Sequence, residues 1–267
     1  MIPETQFVRS ADNTAIAYSI QGSGPAIILI EGAMCYRTSG TFDAVADLLK
    51  NRFTCITYDR RGRGESNDAP TFEPEREIED LSALLEVAGG KASLVGLSSG
   101  AAIALEAANR LDGIEKLVTY EAPFVVDSEI SPLPAGFRAS IEKAVREDRR
   151  GDALKIFMRR VGVPGFALFI MQFTAMWKRL KTIANTLSYD LQFVENHSGG
   201  TPLPPATWPN VTMPALVMAG GGSPAYMINS QKAIAENLAN ATYKELAGQT
   251  HMVKTEPLAA AIRDFLK

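Results

Sequence analysis

Hydrophobic positions change period repeatedly from the start of the chain to Glu121. Two short segments, TQFVRS and TAIAYSIQG, read as strands, and the Asp12-Asn13 pair between them is hairpin chemistry. Gly22-Ser23-Gly24-Pro25 ends that unit. AIILI follows as an unbroken apolar run, the mark of a strand covered on both faces. From Thr41 to Lys50 the period lengthens, with Phe42, Val45, Ala46 and Leu49 recurring as one face of a helix does. FTCITYD is a strand again, the loop DRRGRGES leaves it, and an acidic helix spans Glu75 to Val87 with Ile78, Leu81, Leu84 and Leu85 on one side. SLVGL is the next strand. Ser99 to Asn109 is a helix whose alanines form a thin face, and IEKLVTYE is the strand after it. Strands alternating with helices after an antiparallel start predict a mostly parallel sheet with helices on both faces.

The alternation stops at Pro123. About 90 residues of helical and loop pattern follow, read as an insertion between two strands of one sheet rather than as an independent domain. Helices are expected over Gly136 to Arg149, Asp152 to Val161, Gly165 to Met176 and Trp177 to Leu187, before the proline-rich TPLPPATWP. PALVMAG resumes the strand pattern, Ala225 to Leu238 is a helix, ATYKELA a strand and Pro257 to Leu266 a last helix. The expected organisation is a core in two parts, 1–122 and 213–267, around a helical insertion at 123–212.

Composition adds little. Of 267 residues, 46% are apolar and 21% charged, as in ordinary globular proteins. The formal net charge of −3 suggests neither a nucleic acid nor a membrane as partner. No apolar run is long enough to span a bilayer, and MIPETQFVRS lacks a basic segment followed by an apolar one. A cytoplasmic location is the expectation that follows. Cys35 and Cys55 have no metal or disulfide spacing, and both read as small apolar fillers. No metal-ligand spacing occurs, and no dinucleotide fingerprint follows the first buried strand, so no cofactor is expected. Nothing in the pattern specifies an oligomeric state.

The chemistry concentrates at Gly96-Leu97-Ser98-Ser99-Gly100, a G-x-S-x-G sequence between a strand and a helix. Small residues two before and two after the serine leave room for a strained turn that lifts its hydroxyl clear of the backbone. Ser98 is therefore the candidate nucleophile. It needs a base, and the chain holds two histidines. His251, in AGQTHMV, follows a strand and faces the carboxyl edge of the sheet, so it is the candidate base. His197, in ENHSGG, is expected to be a solvated loop residue of the insertion.

With this elbow, the loop YDRRGRGES and the late GQTH, the chain resembles the α/β-hydrolase superfamily over nearly all its length. The resemblance implies an α/β-hydrolase fold with a helical cap, in which Asp59, Arg61, Gly62 and Gly64 hold a structural loop. Many relatives carry the triad acid as an aspartate just after the strand here read as PALVMAG. Ser223 stands there instead. Glu121, ending IEKLVTYE, is the favoured acid, as in certain haloalkane dehalogenases and a zearalenone-opening lactonase that this arrangement resembles. Asp127 is a weaker candidate. The family's His-Gly before the oxyanion hole is Glu31-Gly32, so the amides of Ala33 and Ser99 are expected to bind the oxyanion at about 3 kcal/mol per donor. Glu31 is expected to turn away and pair with a basic or backbone partner.

A serine at the elbow favours carboxylic esters and lactones over the carboxylate-nucleophile chemistry of dehalogenases and epoxide hydrolases. Met34, Phe166, Phe169 and Trp177 are expected to line an apolar pocket for a moderately sized small-molecule substrate. An acyltransferase or thioesterase, and a non-catalytic binding protein on the same scaffold, are the alternative readings.

Overall fold

A computed structural model describes residues 4–69 and 71–267. The reading of the opening residues as leader-free rests partly on residues 1–3, outside the described residues.

Eight strands form one sheet: β1 (Gln6–Arg9), β2 (Ala15–Gly22), β3 (Ala26–Ile30), β4 (Thr54–Tyr58), β5 (Ala92–Leu97), β6 (Ile114–Tyr120), β7 (Ala215–Gly220) and β8 (Ala241–Leu246). Their spatial order is β1-β2-β4-β3-β5-β6-β7-β8. β1 pairs antiparallel with β2, and β2 antiparallel with β4; every later pairing is parallel. The central parallel strands β3, β5 and β7 are mostly apolar on both faces because both are covered, whereas β8 at the edge is largely exposed. One layer buries Ile28, Ile56, Leu94, Leu117 and Val217 against α2 (Pro74–Val87), α3 (Ser99–Arg110) and α9 (Ala225–Asn237). The other buries Ile27, Leu29, Val95, Val118 and Leu216 against α1 (Phe42–Leu49) and α10 (Thr255–Leu266). This is the α/β-hydrolase fold that the resemblance implied.

Between β6 and β7 lie α4 (Phe137–Arg146), α5 (Arg150–Arg160), α6 (Gly165–Met171), α7 (Ala175–Thr182) and α8 (Leu187–Val194). They bury a cluster of their own, including Ile141, Leu154, Trp177, Leu180 and Leu187. The continuous helix expected from Gly165 to Met176 is broken. Thr174 adopts an extended backbone, and its side chain accepts the amide of Trp177, starting α7 as an N-cap. Helix α8 has no counterpart in the sequence reading. Its inward face carries Ser188 and Asp190 among the apolar residues, so the hydrophobic period fails there although both are buried.

Among the described residues no helix is long and apolar enough to cross a membrane.

Candidate active site

Strand β5 ends at Leu97 and α3 begins at Ser99, leaving Ser98 on the corner with φ 58° and ψ −127°. That backbone is strained for any L-residue. The flanking glycines permit it: a Cβ on Gly96 would collide with the Gly100 carbonyl, and one on Gly100 with the Ile30 carbonyl. Gly32 also lies close, since a Cβ there would stand 2.9 Å from the Ser98 Cβ.

Glu121 follows β6 and has a second left-handed backbone, φ 51°. Its side chain is fully buried, and the groups that hold it are specific. Oε1 accepts the Gly220 amide at 2.7 Å, and Oε2 lies 2.8 Å from His251 Nδ1. Two further bonds fix the loops carrying this pair. The Tyr120 hydroxyl donates to the Thr250 carbonyl at 2.7 Å, joining the residue before the carboxylate to the residue before the imidazole. Beyond Glu121, the buried Gln231 accepts the Ala122 amide and, with Ser230, donates to the Ala122 carbonyl.

The other acids are engaged or replaced. Asp127 accepts from the Glu129 amide and the Asn229 side chain. Ser223, in the position where an aspartate was expected, is buried and its Oγ has no hydrogen-bond partner.

Ser98, Ser99, Ala33 and His251 line one cavity of about 220 Å³. Ser98 and His251 share it without a hydrogen bond between them, as catalytic pairs often do before substrate binds. The amides of Ala33 and Ser99 find no protein acceptor among the described residues. Most of the wall is apolar, including Val125, Leu133, Phe137, Phe157, Leu191 and Met227.

The structure corrects the expected lining residues. Phe166 and Phe169 project from α6 into solvent, Trp177 packs in the cap's own core, and Met34 sits at the edge of that core; none lines the cavity. Helical periodicity identifies apolar positions but not which side of a two-layered cap they face. His197 is also not a solvated loop residue. It is half-buried, its ring 4.9 Å from that of Phe124 and 5.3 Å from that of Trp208, and burial lowers its pKa.

Glu31 does turn away. Its Oε1 accepts the Phe42 amide at 2.6 Å, so a buried carboxyl serves the first turn of α1. Burial, opposed by that bond and by the charge of Arg63, pushes its pKa up to about 7. Behind it, burial first and Glu31 second push the Cys35 thiol up to about 12, leaving it a poor nucleophile. Cys55 is buried in β4.

A buried charge network, absent from the sequence reading, braces the Ala33 and Ser99 side of the cavity. Asp190 of α8 contacts Arg60 at 2.6 Å and Arg63 at 2.6 Å, and accepts from the Ser99 hydroxyl at 2.7 Å. Arg60 also pairs bidentately with Glu77, and Arg63 donates to the carbonyls of Gly32 and Cys35. Burial opposes ionisation of Asp190, but the two guanidiniums outweigh it and hold its carboxyl below the ordinary range. The cap is thus tied to the residue after Ser98 and to the glycine before Ala33. Three arginines in one four-residue stretch were the available signal, since Arg60, Arg61 and Arg63 are all fully buried. Arg61 pairs with Asp80 and Asp12, and Asp59 accepts the amides of Arg37 and Glu65.

Among the described residues no three His, Cys, Asp or Glu side chains gather as a metal centre would. A model of the alpha/beta hydrolase family matches residues 27–261. The chain is similar in structure to an alpha/beta hydrolase from Sphaerobacter thermophilus, with 39% identity, a TM-score of 0.89, and 98% of this chain and 100% of that one covered. A thermophilic esterase from Thermogutta terrifontis shares the fold at a TM-score of 0.70 and 20% identity, over 98% of each chain. In sequence, an uncharacterized hydrolase of Bacillus subtilis, YraK, is 39% identical over 95 residues. That match spans 34% of this chain and only 34% of the relative's length.

Proposed function

The chain belongs to the alpha/beta hydrolase family, and on that footing we propose that it is a serine hydrolase of carboxylic esters or lactones. The observation that carries this reading is the Glu121–His251 pair at 2.8 Å, on the same cavity as a serine held at φ 58°. Ser98 Oγ attacks the substrate carbonyl while His251 Nε2 takes its proton. Glu121 holds the Nδ1 hydrogen and offsets the imidazolium charge, and the Gly220 amide keeps the carboxylate aimed. The oxyanion forms between the amides of Ala33 and Ser99. His251 then returns the proton to the leaving alcohol and activates the water that attacks the acyl-enzyme.

The elbow residue supports esters over epoxides and alkyl halides, whose cleavage on this scaffold uses a carboxylate nucleophile. The apolar wall supports an acyl or alcohol portion with little charge. Incubation with a fluorophosphonate followed by peptide mass spectrometry is expected to place one adduct on Ser98. Turnover of p-nitrophenyl butyrate is expected to disappear in Ser98→Ala. Undiminished turnover in that variant would overturn the reading.

A further inference from the structure

The aromatics missing from the cavity need another role. From Val161 to Trp177 the chain runs 17 residues without one Asp, Glu, Lys or Arg. Six of its large hydrophobic side chains are exposed: Phe166 at 72%, Phe169 at 62%, Ile170 at 62%, Phe173 at 77%, Val161 at 55% and Met176 at 48%. Only three other large hydrophobics among the described residues are comparably exposed, and those are scattered. Phe169 and Phe173 pack edge to face with centroids 5.3 Å apart, so the patch is a built ridge along α6 and the turn into α7. A soluble surface rarely leaves such a cluster open without a use for it.

Charge selects the occupant. Arg159 precedes the run, and Lys178, Arg179 and Lys181 follow it; all four are exposed. Arg159, Lys178 and Lys181 have no acidic partner among the described residues. Residues 136–183 hold eleven Lys and Arg against four Asp and Glu, in a chain whose formal net charge is −3. The overall charge on which a membrane partner was discounted therefore conceals a cationic cap. A second copy docking through the same patch by two-fold symmetry would set these cations against one another. An apolar ridge rimmed by cations with long aliphatic stems instead matches the two layers of an anionic bilayer surface.

We propose that the α6–α7 ridge docks the protein on anionic membrane surfaces, with its phenylalanines among the acyl chains and its cations at the headgroups. Val161, at the start of the run, also lines the cavity, so docking brings the cavity wall close to the lipid. This proposal goes beyond ester hydrolysis and does not depend on it.

The test is flotation of full-length Ser98→Ala protein with vesicles of phosphatidylcholine alone or containing roughly 30% phosphatidylglycerol, at fixed ionic strength. Using the inactive serine variant separates docking from any hydrolysis. Binding is expected only to the anionic vesicles. It should fall tenfold or more in F166S/F169S/F173S and likewise in K178E/K181E. Both sets lie on the surface, and circular dichroism checks that they fold. No partition of the parent protein into anionic vesicles would overturn the proposal, as would binding indifferent to both sets. A concentration-dependent dimer abolished by F166S/F169S/F173S, without vesicle binding, would assign the ridge to a second copy and equally overturn it.

Discussion

Two residues of the candidate triad pay in backbone strain for their positions, Ser98 at φ 58° and Glu121 at φ 51°. Only the first was legible in its own motif; Glu121 was favoured through the family resemblance. G-x-S-x-G announces a forced corner because its glycines have one use, whereas nothing around Glu121 distinguishes it from a carboxylate capping a strand. What defines Glu121 is its burial together with the Gly220 amide and the imidazole, both brought in from residues about a hundred positions away. Glu121→Gln keeps the shape and the bond from Gly220 but removes the charge and favours the wrong imidazole tautomer. Its kcat/KM for p-nitrophenyl butyrate is expected to fall by about 10³ to 10⁴ with an unchanged melting curve. A loss of only a few-fold would assign the acid elsewhere.

Among the elements, α1 shows how a site loop reaches into stability. Its first amide, at Phe42, is satisfied by the buried Glu31, whose carboxyl is raised from 4.5 to about 7 mainly by burial. The folded state then binds a proton that the unfolded state releases, so stability from this group is full below about pH 4.5. It is lost as pH rises toward 7, by on the order of 3 kcal/mol. Glu31→Gln, which keeps an acceptor for Phe42, is expected to flatten this part of the pH–stability curve in urea titrations between pH 5 and 8. A curve identical to wild type would show that Glu31 titrates normally. The sequence predicted that Glu31 turns away to a basic or backbone partner, and it does, accepting a backbone amide at a helix start. Strand–helix alternation was equally readable, because the central strands β3, β5 and β7 are covered on both faces and mostly apolar. Helix α8 was not, because its buried side is partly ionic. The same physics hid the network around Asp190: a buried charge looks in sequence like a surface one until its partners are known.

Across the whole molecule, helices α4 to α7 share a core of their own, whereas α8 also buries Phe193 and Val194 in the sheet's core and ties the insertion down. Besides the Asp190 network, Tyr189 stacks on Phe72 at 3.8 Å and donates to Asp68. The α4 to α7 unit is expected to open before the sheet does. Native-state hydrogen exchange should therefore find helices α4 to α7 less protected than β3 to β7. Asp190→Asn leaves the buried Arg63 without its acidic partner, Arg60 keeping Glu77, and is expected to lower the cap's opening energy by about 3 kcal/mol or more. Uniform exchange in cap and sheet, unaltered in that variant, would count against a separable cap. The strand order carries one more consequence. Glu121 and Ser223 follow neighbouring strand ends, β6 and β7, on either side of the Gly220 amide that steadies the carboxylate. The charge and the group that aims it thus sit on adjacent strands, the carboxylate just after β6 and the amide at the end of β7, so the orientation of the imidazole is set by the register of two strands rather than by a single loop.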